Sequence, residues 1–292
     1  MSGDFCAGRV VVVTGAGQGL GRAHALAFAE QGAAVVVNDH SADNAAGVAE
    51  EITAAGGVAS VCSGDVSDWS FADSLVAHAV STHGGLHTLV NNAGINRDRM
   101  LVSLSEQEWD DVLRVNLKGH MAPLRHAAEW WRDESKAGRP VEARVVNTSS
   151  GAGLMGSVGQ GNYGASKAGI AALTVIAGVE MARYGIKVNA IAPSARTPMT
   201  EGVFAEMMAK PETGFDAMDP ANVSSLVVWL GSGACSVTGR VFECAGGEVS
   251  LADGWQHGVA VRQDRRWEPA ELTDAVADLV SRAPEPAPVY GA

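Results

Sequence analysis

Short β-branched runs alternating with helix-length segments constrain this chain's fold more than any other feature of its sequence. Residues 10–13, 33–37, 58–62, 86–90, 144–148 and 186–191 read as strands, and a last short strand is expected at 240–243. Several are apolar throughout, as parallel strands covered on both faces must be. Between them, residues 19–31, 67–83 and 107–131 repeat their apolar positions at helical spacing. Such a chain folds through right-handed crossovers into an α/β, doubly wound parallel sheet. No linker composition interrupts it before its end. The expectation is a single domain over residues 1–254 with a C-terminal extension over 255–292.

Lysines and arginines number 21 against 33 aspartates and glutamates, a net charge of −12. An evenly acidic surface repels phosphate backbones, so no nucleic acid is expected as a partner. Cys6, Cys62, Cys235 and Cys244 are dispersed with no C-x-x-C pair, and read as reduced thiols of a cytoplasmic protein. Residues 1–9 carry no basic-then-apolar leader, and the apolar stretch near 170–179 is too short for a membrane span.

Directly after the first strand stands Thr14-Gly15-Ala16-Gly17-Gln18-Gly19-Leu20-Gly21. Glycines at a strand-to-helix turn permit positive φ and let backbone N–H groups approach a pyrophosphate without help from basic side chains. The second strand runs out at Asp39, where an acidic side chain in a βαβ unit meets an adenosine ribose. A carboxylate there accepts from both ribose hydroxyls and repels a 2′-phosphate. The loop offers uncharged Gln18 and no cation, so these residues favour NAD over NADP. A turn or helix-cap role for Asp39 stays open, since Asp is common in both. Gly64-Asp65-Val66 follows the third strand and Asn91-Asn92-Ala93-Gly94 the fourth, at the carboxyl ends where ligands bind in parallel sheets. Asp65 would serve equally as the cap of the next helix.

Tyr163 and Lys167 open a long helical segment at i, i+4, on one helix face. A free tyrosine has a pKa of about 10 and is a poor base near neutrality. A fixed ammonium beside it favours the phenolate and makes proton transfer workable. Ser149 and Ser150 end the fifth strand, where a hydroxyl can hold a substrate oxygen opposite the tyrosine. A serine hydrolase would need a histidine base and a G-x-S-x-G elbow, which residues 153–157 lack.

Over residues 9–254 the chain resembles the short-chain dehydrogenase/reductase family. The T-G-x-x-x-G-x-G loop, Asp65, N-N-A-G, a downstream asparagine, a serine and Y-x-x-x-K follow in that family's order. The resemblance implies a Rossmann sheet, NAD as cofactor and no metal ligand. It implies that Tyr163 is the general acid/base and that Lys167 binds the nicotinamide ribose while tuning the phenol. Ser150, rather than Ser149, orients the reacting oxygen, and Asn116 holds a water that relays protons through the lysine. The implied cofactor contacts are Gly15, Gln18, Gly19, Leu20, Asp39, Asp65, Val66, Asn92, Ala93, Gly94, Tyr163, Lys167, Pro193 and Thr197. The family's Pro-Gly is here Pro193-Ser194, which leaves Thr197 one residue closer than usual.

Residues 35–39, 96–101 and 192–200 are most similar to a narrower branch, that of the peroxisomal multifunctional β-oxidation enzyme and bacterial 17β-hydroxysteroid or 3-hydroxyacyl-CoA dehydrogenases. The branch implies a hydrophobic substrate, an acyl-CoA or a steroid, and a homodimer or homotetramer. Residues 197–219, the family's lid, hold Met199, Phe204, Met207, Met208, Phe215 and Met218, which suit either a bulky apolar ligand or ordinary packing. Arg97, Arg99 and Arg196 are candidates for a CoA phosphate or for plain surface cations. The rival readings are a 3-oxoacyl-carrier-protein or polyketide-type ketoreductase and a catalytically idle cofactor-binding protein. In the extension, Leu272, Val276, Leu279 and Val280 form one apolar helix face before Pro284, Pro286 and Pro288. That face, with Trp255 and Trp267, must bury against its own subunit or a neighbour.

Overall fold

The first strand, β1 (Val10–Val13), is four consecutive valines, all buried. Val11 and Val13 face a core shared with Phe28, Val35 and Leu230, while Val10 and Val12 face another shared with Leu75, Leu89 and Trp131. A strand whose alternate residues both enter cores must be covered on both sides. The computed structural model describes residues 4–201, 208–252, 254–285, 287 and 289.

The other strands are β2 (Ala34–Val37), β3 (Val58–Val61), β4 (Thr88–Asn91), β5 (Arg144–Thr148), β6 (Lys187–Ser194), β7 (Val241–Ala245) and β8 (Glu248–Ala252). They form one sheet in the order β3-β2-β1-β4-β5-β6-β7-β8, parallel except for the antiparallel β7–β8 pair. The helices are α1 (Gly19–Glu30), α2 (Ala42–Ala54), α3 (Trp69–His83), α4 (Glu106–Val112), α5 (Gly119–Lys136), α6 (Gly151–Leu154), α7 (Gly161–Met181), α8 (Pro198–Glu201), α9 (Pro220–Gly231) and α10 (Leu272–Ser281). This is the doubly wound sheet that the alternating pattern predicts.

Two elements differ from the sequence reading. Residues 107–131 are not one α-helix: a π-helical turn, Leu113–Lys118, separates α4 from α5. It carries Asn116, whose amide bonds to Ile95 and Ser166. The strand β8 was not expected. It returns on β7 through Gly246-Gly247, with Ala245 opposite Glu248 and Gly246 at φ +53°. A two-residue glycine loop is a strong hairpin signal, since such turns need positive φ.

Helix α7 with the turn after it, Gly161–Tyr184, is long and apolar enough to cross a membrane by length and composition. Here it packs on β5, β6 and the π turn.

His24 on α1 is wholly buried, and its Nδ1 lies 2.8 Å from the Ser224 hydroxyl of α9. Burial pushes its pKa down to about 3 from an ordinary 6.5. In the window between those values the unfolded chain binds the proton and the folded chain does not, so stability present above pH 6.5 is lost as pH falls. A urea-unfolding series should show this acid limb, and His24→Gln should flatten it. An unchanged slope in the variant would mean that the imidazole is not held neutral.

Candidate active site

The site forms at the carboxyl edge of the sheet, where β1 and β4 lie side by side. Thr14 joins the loops that leave these strands: its hydroxyl accepts from Asn92 N–H at 2.9 Å and Ala93 N–H at 3.1 Å. Asn92 returns the contact, donating through its amide to Thr14 O at 3.0 Å and Gly15 O at 3.2 Å. Gly15 adopts φ +61°, and a Cβ there would come 2.8 Å from Ala93 Cα. Gly21 is tighter still: a Cβ would sit 2.1 Å from Gly15 O. The glycines therefore close the turn and bring helix α1 against it. Gln18, at the N-cap of α1, makes no side-chain cap bond, so the first-turn amides face the crevice uncapped.

That crevice has a volume of about 490 Å³. Its walls include Gly15, Gln18, Gly19, Leu20, Asp39, Asp65, Val66, Asn92, Ala93, Gly94, Tyr163, Lys167, Pro193 and Thr197, so the structure brings the whole predicted cofactor set into one concavity. Asp39 accepts from Gly17 N–H and Ser41 N–H, each at 2.9 Å. It braces the glycine loop and lines the crevice at once, so a turn role does not remove it from the crevice wall. Burial pushes the Asp65 carboxyl up, but hydrogen bonds from Ser67 and Arg114 outweigh it and hold the pKa below the ordinary value. A glycine cradle, an uncapped helix start and an acidic residue at the end of the second strand fit a dinucleotide.

Tyr163 and Lys167 both sit on α7. The Lys167 side chain is buried, its Nζ donates to Thr148 O at 2.7 Å, and it lies 5.5 Å from the Tyr163 ring centroid. Burial lowers its pKa to about 7. The structure separates the two serines clearly. Ser149 is buried and donates to Lys167 O at 2.8 Å, a bond that fixes α7. Ser150 lines the crevice, and its hydroxyl accepts from Ala152 N–H at 3.3 Å to start α6.

Asn116 does not line the crevice. Its amide oxygen accepts from Ile95 N–H at 2.8 Å, and its amide nitrogen donates to Ile95 O and the Ser166 hydroxyl, both at 3.0 Å. With those bonds made and the residue fully buried, the side chain clamps the segment after Gly94 to α7. A relayed proton would need a water held by atoms other than this amide.

Sequence reasoning missed His120. It is fully buried on α5, and its Nε2 accepts from Thr148 N–H at 3.3 Å. It thus supports the residue whose carbonyl holds Lys167. Burial, with the Lys167 charge adding to it, pushes its pKa down to about 3. A single histidine in the apolar-rich start of α5 gives no sequence signal that singles it out.

A second cavity, of about 510 Å³, shares Ser150, Tyr163, Pro193, Ala195 and Met199 with the first. Met208 and Met218 line it, whereas Phe215 is exposed. Phe204 and Met207 lie outside the described residues. Of the candidate arginines, Arg99 pairs with Glu108 at 2.8 Å, and Arg196 pairs with Asp216 while donating to Met208 O. Arg97 donates to Asn96 O at 2.8 Å. Among the described residues, no group of three or more His, Cys, Asp or Glu could hold a metal ion.

The unfolded lysine titrates at 10.5 and the buried Lys167 at about 7, so the unfolded chain carries more protons between those values. Stability of the cofactor-free protein should therefore rise from about pH 7 towards pH 10. Lys167→Met should flatten that rise in a denaturant series while abolishing turnover. A variant with the parent's slope would contradict the lowered titration of the buried Lys167.

The model of the short chain dehydrogenase family matches residues 9–207. The hydroxyacyl-CoA dehydrogenase ChsB1 of Mycobacterium tuberculosis is 47% identical, over 95% of this chain and 90% of that protein. The peroxisomal multifunctional enzyme type 2 of Mus musculus is 39% identical over 83% of this chain, which spans 32% of that longer protein. A crystal structure of a short chain dehydrogenase from Mycobacterium avium superposes with a TM-score of 0.90 at 57% identity, covering 99% of this chain and 100% of that one. With its fold, its crevice and these relatives in agreement, the chain belongs to the short-chain dehydrogenase family.

Proposed function

We propose that this oxidoreductase is an NAD-dependent dehydrogenase of 3-hydroxyacyl-CoA thioesters, working in the cytoplasm as a homodimer or homotetramer. The observation that carries the reading is the junction of two cavities at Ser150 and Tyr163. One cavity suits a dinucleotide; the other, walled by Met199, Met208 and Met218, suits a flexible apolar chain. The relatives' names supply the substrate class, and a hydroxysteroid is the alternative occupant.

NAD bound in the crevice supplies a hydride acceptor. The chain's own residues do the rest. The hydroxyls of Ser150 and Tyr163 hold the substrate oxygen between them. Tyr163 takes the hydroxyl proton as the carbinol carbon loses hydride, and returns it in the reverse direction. Lys167, held by Thr148 O, holds the ribose and supplies positive charge beside the phenol ring. Asp39 selects NAD by placing a carboxylate where a 2′-phosphate would come.

The test is nicotinamide absorbance with 3-hydroxyacyl-CoA thioesters from four carbons upward, run beside a 17-hydroxysteroid. Efficiency should climb with chain length, since each buried methylene adds about 0.8 kcal/mol, roughly fourfold per carbon. A flat profile, or an optimum at four carbons, would contradict the apolar cavity. NAD should exceed NADP by about a hundredfold or more in kcat/KM, because juxtaposed like charges cost several kcal/mol. Asp39→Ala should narrow that ratio. Equal use of both cofactors by the parent would refute the role given to Asp39.

A further inference from the structure

One wall of the second cavity comes from the far end of the chain. Val289, in the extension beyond α10, lines it beside Ser150, Gly151 and Tyr163. The Val289 carbonyl oxygen is 3.1 Å, and its Cγ1 3.8 Å, from the point where a Cβ on Gly151 would sit. The tail backbone therefore rests on the residue next to the Ser150 hydroxyl. A side chain at Gly151 would crowd it away.

The sequence of the tail suits a fixed wall. Pro284, Pro286 and Pro288 alternate with Glu285 and Ala287 ahead of Val289. Prolines restrict φ before as well as after ordering, so such a segment loses little conformational entropy when it is held in place. Val289 adds an apolar side chain to a lining that holds Met199, Met208 and Met218 alongside Asp98, Glu243 and Glu248.

We propose that Val289 is a specificity-determining residue: it closes one side of the substrate cavity, and its side chain packs on the apolar part of the bound alcohol or ketone. The inference rests on the dehydrogenase reading above, but not on the choice between acyl thioester and steroid.

Two variants test it, Val289→Trp and a chain ending at Pro284. The first readout is hydrogen exchange over residues 150–156, which needs no substrate. The second is KM and kcat across the thioester series and the steroid, with NADH affinity from fluorescence as the control. The shortened chain should exchange faster over 150–156. It should raise KM for the parent's best substrate about tenfold, with a smaller change in kcat and an NADH Kd within about twofold of the parent. Val289→Trp should lower kcat/KM about tenfold for the largest substrates and shift the optimum to smaller ones. Unchanged exchange in the shortened chain overturns the inference, as does a substrate profile that is the same in all three proteins. If the parent turns over neither thioester nor steroid, the substrate reading fails and the exchange result still decides the wall. If the parent turns them over with a profile both variants share, the wall fails and the substrate reading stands.

Discussion

The parting of chain connections between β1 and β4 is the constraint on which the rest of this structure depends. In the order β3-β2-β1-β4-β5-β6-β7, the connection after β1 leads to α1, whose core is shared with α9, while the one after β4 leads to α5, packed with α3. Helices leaving to opposite faces cannot cover the strand ends between them, so a crevice opens there. The predicted cofactor and proton-transfer residues that line the crevice lie along that edge. The glycine loop lies at one strand end, Asn92–Gly94 at the next, and Ser150 beyond them.

Such an edge carries many polar groups, and burying them without partners would destabilise the fold. The sequence meets much of this with paired side chains rather than with apolar filling, although Asn91 Oδ1, His120 Nδ1 and the Thr148 hydroxyl have no hydrogen-bond partner among the described residues. Asn91 donates to Asn147 Oδ1 at 3.0 Å, and Asn147 donates to the Thr174 hydroxyl of α7 at 2.9 Å. Thr14, Asn92, Asn116, His120 and Ser149 extend the pattern from the glycine loop to α7. The consequence is positional. Lys167 reaches Thr148 O on a helix tied to the sheet at several points, and Tyr163 is carried one turn away on the same helix. Under the proposed reading, pre-organisation of this kind holds the Tyr163 phenol in place without reorganisation at the moment of reaction.

Much of this was legible in the residues because the signals were local. Apolar runs such as Val10–Val13 announce buried parallel strands, and the crevice set could be named from glycines and acidic residues at strand ends together with the family resemblance. What could not be read depended on register or on contacts distant in sequence. The π turn at Leu113–Lys118 shifts the helix by a fraction of a turn, which hydrophobic spacing does not reveal. Ser149 and Ser150 differ only in which side of the strand end each occupies, and the structure separates them by their bonds. His120 matters through Thr148, a partner distant in sequence, as does Val289 through Gly151. The hairpin to β8 is marked in the sequence by Gly246-Gly247, a two-residue turn signal.

The central claim is that Tyr163 moves the proton in a site assembled independently of it. Its most direct measurement is turnover by Tyr163→Phe, with NADH affinity followed by fluorescence in the same samples. The account predicts an NADH Kd within about twofold of the parent and turnover lowered by about a thousandfold, in the range typical of lost acid–base catalysis. Turnover above about a tenth of the parent's, with cofactor affinity intact, would contradict it.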